Sequence, residues 1–156
     1  MNNIVKTSDF NKELGLDLAK QGQLATFNDF IAIWQEKLLK ELLGDDLYCK
    51  MEDNFSSELW TNFINGETLI LNNLKWKFAG CKPMLKYFIW YEFQRDAGFD
   101  DNDENNAKID RALIKNFNRG VDYYYDCVRY LLNNTANFPN LIYYEKEKKH
   151  NSIIYG

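Results

Sequence analysis

The chain is poor in the residues that carry most catalytic chemistry and covalent stapling, with one histidine, three cysteines and two prolines among 156 residues. A single histidine, His150, leaves no two-histidine metal site and no ordinary histidine-based triad within one chain. Cys49, Cys81 and Cys127 are odd in number and far apart, which fits reduced thiols better than a disulfide framework; all three are expected as small buried hydrophobes. No Gly-rich phosphate loop, Walker motif or G-x-S-x-G elbow occurs. Asp101, Asp103 and Asn105 match the opening of a calcium loop, but Asn106 stands where glycine is wanted and Ala112 where glutamate is wanted. No catalytic, cofactor-binding or metal-binding residue is therefore expected, and the chain reads as a non-enzyme.

An excess of positive charge is also missing. The balance of 19 basic against 23 acidic residues gives a net charge of −4, which argues against a phosphate-clamping surface, because nucleic-acid affinity is built largely from cationic contacts. No run approaches the apolar length that a membrane span requires, and the opening residues lack the apolar core of a signal peptide. The product is expected to remain in the cytoplasm where it is made, without a membrane partner.

What the chain does have is apolar and aromatic surface: 46% hydrophobic residues, with 11 Phe, 10 Tyr and 4 Trp. Each such ring can bury roughly 150–250 Å², and Tyr and Trp keep one polar atom to satisfy, which suits a core and an interface equally well. The length and composition fit one globular domain, large enough to remove about 70% of the unfolded chain's surface from water.

Residues 1–23 carry short apolar clusters and two glycines, and read as an irregular arm with a helical turn near Asp9 to Leu18. A helix follows, opened by a capping-box-like pair, Thr26 and Asp29, and carrying Phe27, Phe30, Ile31, Trp34, Leu38 and Leu42 at three- and four-residue steps until Gly44. Two short helices are expected over Asp46 to Asn54 and Ser57 to Ile64, the second closed by Gly66. In "TLILNNLKWKF" two apolar-rich runs flank Asn72-Asn73, which predicts a β-hairpin near 68–79 with Leu74, Trp76 and Phe78 on one face.

"KPMLKYFIWYEFQRD" opens with a proline suited to a first helical turn, and its apolar residues spread around most of the circumference, which marks a central helix. A last helix is expected from about Asn105 to Asn133, with Ile109, Leu113, Phe117, Val121, Tyr124, Val128 and Leu131 along one stripe. Gly120 interrupts it, which suggests a close approach by another backbone or a mild bend. The fold class is mainly α: a helical bundle over residues 1–140 with a small β-hairpin, followed by an extended or partly β C-terminal tail over 141–156.

Tyr123, Tyr124 and Tyr125 occupy successive positions about 100° apart, so at least one faces outward, as a snorkelling surface tyrosine or as a contact between subunits. Trp76 and Trp90 divide in the same way between core and interface. The tail carries Leu141, Ile142, Tyr143 and Tyr144, then Ile153, Ile154 and Tyr155, a large apolar load for a terminal segment. It is expected to dock on a partner, as an added strand or in a groove.

The order of these parts, through "LLGDDLY", "NGE", "LKWKFAG" and "CKPMLKYFIWYEFQRD" to a long final helix, resembles the small helical head–tail connector (adaptor) proteins of tailed bacteriophages, particularly those of phages of gut Bacteroidales. The similarity covers most of residues 25 to 140. It implies a non-enzymatic homo-oligomeric ring, typically dodecameric, in the virion neck, bound to the portal protein and to the next neck or tail protein. DNA would pass through its lumen without specific binding. Trp76, Tyr123 and Tyr125 are then candidate subunit contacts and the tail from Leu141 the candidate docking segment. The alternative is a cytoplasmic helical binding module, such as an inhibitor or regulator.

Overall fold

The structure, a computed structural model, describes residues 3–10, 21–96, 103–139 and 141, without the side chains of 21–25 and 103–110. Among these residues the chain is mainly α-helical. A single 3-10 turn at Thr7–Asp9 precedes α1 (Gln21–Leu43), α2 (Asp45–Asp53) and α3 (Glu58–Asn65). The hairpin β1 (Glu67–Leu71) and β2 (Leu74–Phe78) follows, then α4 (Lys82–Asp96) and α5 (Asp103–Asn133). No described helix is long and apolar enough to cross a membrane.

α1 begins five residues before the expected cap, so Thr26 lies inside the helix and the arm ends sooner than the sequence suggests. Gln21, Gln23, Leu24 and Ala25 are good helix formers, and a lone Gly22 near the end costs only about 1 kcal/mol. Gly44 does stop the helix: its φ is +77°, and its N–H donates to the Lys40 carbonyl at 2.8 Å. On the exposed side Lys40 pairs with Glu36 at 2.6 Å, one turn back. Asp45 and Asp46 then open α2, where negative charge meets the positive end of the helix dipole. Ser57 takes the position before α3, but its side chain makes no capping bond.

α4 is the centre. Met84, Leu85, Tyr87, Phe88, Ile89, Trp90 and Tyr91 are all buried, and the cover comes from the same chain. Phe27 of α1 meets Trp90 and Phe93 edge-on at 6.3 and 4.5 Å, and Phe30 meets Phe93 at 5.4 Å. On the other side α5 supplies Phe117 against Phe88 and Tyr91, and Tyr123 against Tyr87. Trp90 is therefore core and not interface. Each fully buried ring or aliphatic side chain of this kind contributes roughly 1.5–3 kcal/mol.

Gly120 of α5 sits against Phe88, where an added Cβ would lie 2.7 Å from a ring carbon. The close approach inferred from the sequence is thus by a side-chain ring, not by a backbone. Of the α5 stripe, Leu113, Val121, Tyr124, Val128 and Leu131 are buried and Phe117 half-buried. After α5 the chain turns back, and Phe138 packs on Trp60 and Phe63 of α3 and on Tyr130 of α5. Cys81 and Cys127 are buried as expected, but Cys49 is exposed, because it falls on the outer side of α2 between inward-facing Tyr48 and Met51.

The arm is more than a loose lead-in. Ile4, Val5 and Phe10 are buried, and the backbone N–H groups of Ile4 and Val5 both donate to Oε1 of the buried Gln35 on α1. A 3-10 turn lies at Thr7–Asp9, ahead of the span from Asp9 to Leu18 where a helical turn was expected; residues 11–18 of that span lie outside the described residues.

Candidate protein-binding surface

The hairpin leaves the helical body at a crossing of two backbones. Gly66 (φ +90°) and Gly80 (φ +82°) face each other there: a Cβ on Gly66 would lie 2.3 Å from the Phe78 carbonyl oxygen, and one on Gly80 would lie 2.4 Å from that of Ile64. Only glycine fits either position, and the crossing fixes where the hairpin starts. The Cys81 N–H adds a bond to the Phe63 carbonyl at 2.9 Å. At the far end Asn72 and Asn73 hold φ of 51° and 64°, the paired positive values of a two-residue turn whose twist matches that of the strands.

Register sets which side chains share a face. Glu67 pairs with Phe78, Leu69 with Trp76 and Leu71 with Leu74, so these six look one way; Ile70 and Lys75 look the other. The inner face is anchored at its base. Phe78 stacks on Tyr130 of α5 at 4.3 Å, and the Tyr130 hydroxyl donates to Glu67 Oε1 at 2.6 Å. Burial, reinforced by that hydrogen bond, pushes the Tyr130 phenol well above its ordinary range. Midway, Trp76 is half-buried, lies 5.7 Å from the Phe78 ring, and is capped by the Arg129 guanidinium at 4.9 Å. At the tip Leu74 is 72% exposed and Ile70 71%. The expected apolar face exists, but its burial fades from Phe78 to Leu74, because the helical body reaches only the base of the hairpin.

Arg129 connects this face to α5. Asp122, Tyr125, Arg129 and Leu132 follow at steps of three and four and form the outward stripe of that helix, with Tyr125 and Leu132 exposed. Asp126 lies beside the stripe; partial burial pushes its carboxyl up, opposed by the charge of Arg129. Hairpin and stripe meet at the Trp76–Arg129 contact, so one surface carries Leu74, Trp76, Arg129, Tyr125 and Leu132.

The residues expected as contacts are therefore only partly brought together. Trp76 and Tyr125 belong to this surface. Tyr123 lies on another side of α5, because two helical steps turn it by about 200°. It stacks on Tyr87, with ring planes 7° apart and centroids 5.9 Å apart, and with Tyr87, Arg119 and Asp122 it lines an open hollow of about 510 Å³. Arg119 donates to the Tyr87 hydroxyl at 3.2 Å and leaves that ring covered. Leu141 is half-buried against the chain's own core. Ile142, Tyr143, Tyr144, Ile153, Ile154 and Tyr155 lie outside the described residues, as does His150.

Ile70, Leu74, Arg129 and Leu132 are the residues that sequence reasoning missed. Ile70 sits in an unbroken apolar run, Leu69 to Leu71, where alternation gives no sign of facing. Leu132 follows a buried Leu131 and looks like core. For metal chemistry, no group of three or more ligating side chains occurs among the described residues, and residues 103–112, part of the failed calcium loop, are helical. Comparisons of the chain with family profiles, with curated proteins and with solved structures find no match.

Proposed function

We propose that this chain is a structural subunit that works by protein–protein contact, as a head–tail connector of a tailed bacteriophage. In this reading it forms a closed ring between the portal protein and the next neck or tail protein, and DNA passes through the centre. The ring is homo-oligomeric and needs neither cofactor nor catalysis. The observation that carries the reading is the hairpin tip, where Ile70 and Leu74 stand in water on a strand pair rigidly rooted at its base. A projecting apolar element suits a head-to-tail interface, in which one subunit's convex feature enters a different surface of the next and rotation closes the ring. The order of sequence landmarks supplies the family. A net charge of −4 is consistent with a lumen that does not hold the phosphate backbone.

The enclosure of α4 within one chain favours a second reading, since the folded unit does not need a neighbour to cover its central helix. In that case the same surface would serve a single partner, and the protein would be a monomeric or dimeric inhibitor or regulator.

Mass measurement and electron microscopy of the purified chain, alone and with purified portal protein, separate the two. A ring or a stacked complex is expected, and it should be lost in the variant Ile70→Asp/Leu74→Asp while the melting temperature stays put. A chain that remains monomeric with and without portal would overturn the connector reading and leave the binding module.

A further inference from the structure

Two apolar patches stand at opposite ends of α4. One is the hairpin tip, on a strand pair whose base at Gly80 immediately precedes the start of the helix at Lys82. The other gathers around Phe93, about 16 Å further along α4. There Phe93 meets Phe30 of α1 at 5.4 Å, and Phe30 meets Trp34 at 5.8 Å. All three rings are half-buried, and beside them Ile33 is 65% exposed on the outer side of α1. The hairpin rests on α5, whereas α1 covers the opposite side of α4, so the two patches do not meet within one chain.

The patches are unlike, and each suits the other. The tip is narrow and convex, with Ile70 on its outer face beside its cross-strand partner Lys75 and near Lys77, both lysines exposed. The α1 patch is broad and aromatic, with Asp29 one turn before Ile33 and Asp96 one turn after Phe93, both exposed. Its cations are engaged within the chain. Lys37 lies over the Trp34 ring at 4.1 Å, Lys40 pairs with Glu36 at 2.6 Å, and Arg95 sits between Glu92 at 2.6 Å and Asp96 at 3.9 Å. The patch therefore keeps an excess of negative charge at its rim. A lysine-flanked isoleucine against aromatic rings edged by aspartate gives an apolar centre with complementary charge around it.

We propose that the α1 patch is the socket for the hairpin tip of a second copy, with Ile70 seated against Phe30, Ile33 and Trp34 and the tip lysines toward Asp29. Every copy then presents a tip at one end of α4 and a socket at the other. That polarity is what a head-to-tail contact needs, because each subunit gives one surface and receives the other until rotation closes the ring. Pairing tip against tip would instead bring Lys75 and Lys77 of one copy against the same lysines of the next, and like charges so placed disfavour it. This inference rests on the self-association proposed above and names the surface that receives the tip.

The test uses full-length chain carrying Cys49→Ser, which removes the exposed native thiol, with Ile33→Cys in one variant and Ile70→Cys in another. Each variant alone and an equal mixture of the two are assembled with and without purified portal protein and joined with a short bifunctional thiol reagent. The mixture should give covalent dimers whose 33–70 link is read by digestion and mass spectrometry, while each variant alone stays uncoupled. Dimers from the Ile70→Cys variant alone would assign the tip to another tip and overturn the socket, as would a mixture without the 33–70 link. A second measurement needs no cysteine. Ile33→Asp should keep the melting temperature and weaken self-association by about tenfold or more, read as native mass against concentration. Loss of portal binding with self-association unchanged would assign the α1 patch to the portal and overturn the proposal. A ring that forms despite Ile33→Asp overturns the socket alone, whereas a wild-type chain that stays monomeric with and without portal overturns the socket and the connector reading together.

Discussion

Gly120 shows how much a single missing Cβ decides. An added methyl would meet the Phe88 ring at 2.7 Å and 2.8 Å, and a ring held between two helices has no free end to swing away. Overpacking of this sort costs about 1–3 kcal/mol, while Gly→Ala in a helix returns about 1 kcal/mol. Gly120→Ala is therefore expected to destabilise by about 1 kcal/mol, read as a lower urea midpoint at unchanged slope. In the Phe88→Leu background, where the ring is gone, the same change should become neutral or stabilising. The buried acids of the core set a second limit. Burial raises the Cys81 thiol from 9.0 to about 12 and the Tyr48 phenol from 10.0 to about 12, and pushes Cys127 and Tyr130 upward. A group whose folded pKa is raised binds its proton more tightly in the native state, so its stabilisation is whole below the unfolded pKa and is lost as pH rises through the folded value. Stability should thus be flat from neutral pH to about 9 and then fall toward about 12. Thermal melts across that range test it, and a plateau up to pH 12 would contradict the burial of these groups.

At the scale of the element, the hairpin depends on a few backbone positions that strand propensity does not describe. Asn73 holds a φ of 64°, which a β-branched residue adopts only with strain of about 1–3 kcal/mol. Asn73→Val should destabilise by about 1–2 kcal/mol and raise the hydrogen-exchange rates of β1 and β2 amides, whereas Asn73→Gly should leave both intact or improved. The anchor at the base is separable from the turn. Tyr130→Phe keeps the stack on Phe78 but removes the hydroxyl that donates to Glu67, at a cost of about 1–2 kcal/mol read as a lower urea midpoint. α4 behaves differently, because seven buried residues spread around its circumference leave no tolerant face. Its sequence announces a central helix, and α1 and α5 cover it from opposite sides.

For the whole molecule, the apolar tip and the outward stripe of α5 bear on association and hardly on folding. Ile70→Asp/Leu74→Asp should leave stability within about 0.5 kcal/mol of wild type, as surface changes do, and should abolish self-association or portal binding. If the contact is apolar, association should survive about 1 M salt, where screening acts over only about 3 Å. Loss of the complex at that ionic strength, measured by native mass, would assign the contact to charge instead.

The sequence by itself determined the helical periodicities, the turn at Asn72-Asn73, the stop at Gly44 and the centrality of α4, because each rests on local geometry or on the spacing of apolar residues along one element. It also placed an outward tyrosine among Tyr123–Tyr125, since helical geometry forbids three successive side chains from sharing one face. Only the tertiary structure decided which neighbour covers each apolar side chain. Leu74, Trp76 and Phe78 alternate along one strand as equivalent apolar positions until the helical body is seen to end short of Leu74. Arg129 joins Trp76 across more than fifty residues of chain, and Gln35 clasps an arm that local sequence describes as loose. Such contacts depend on where whole elements pack, and no local pattern encodes that.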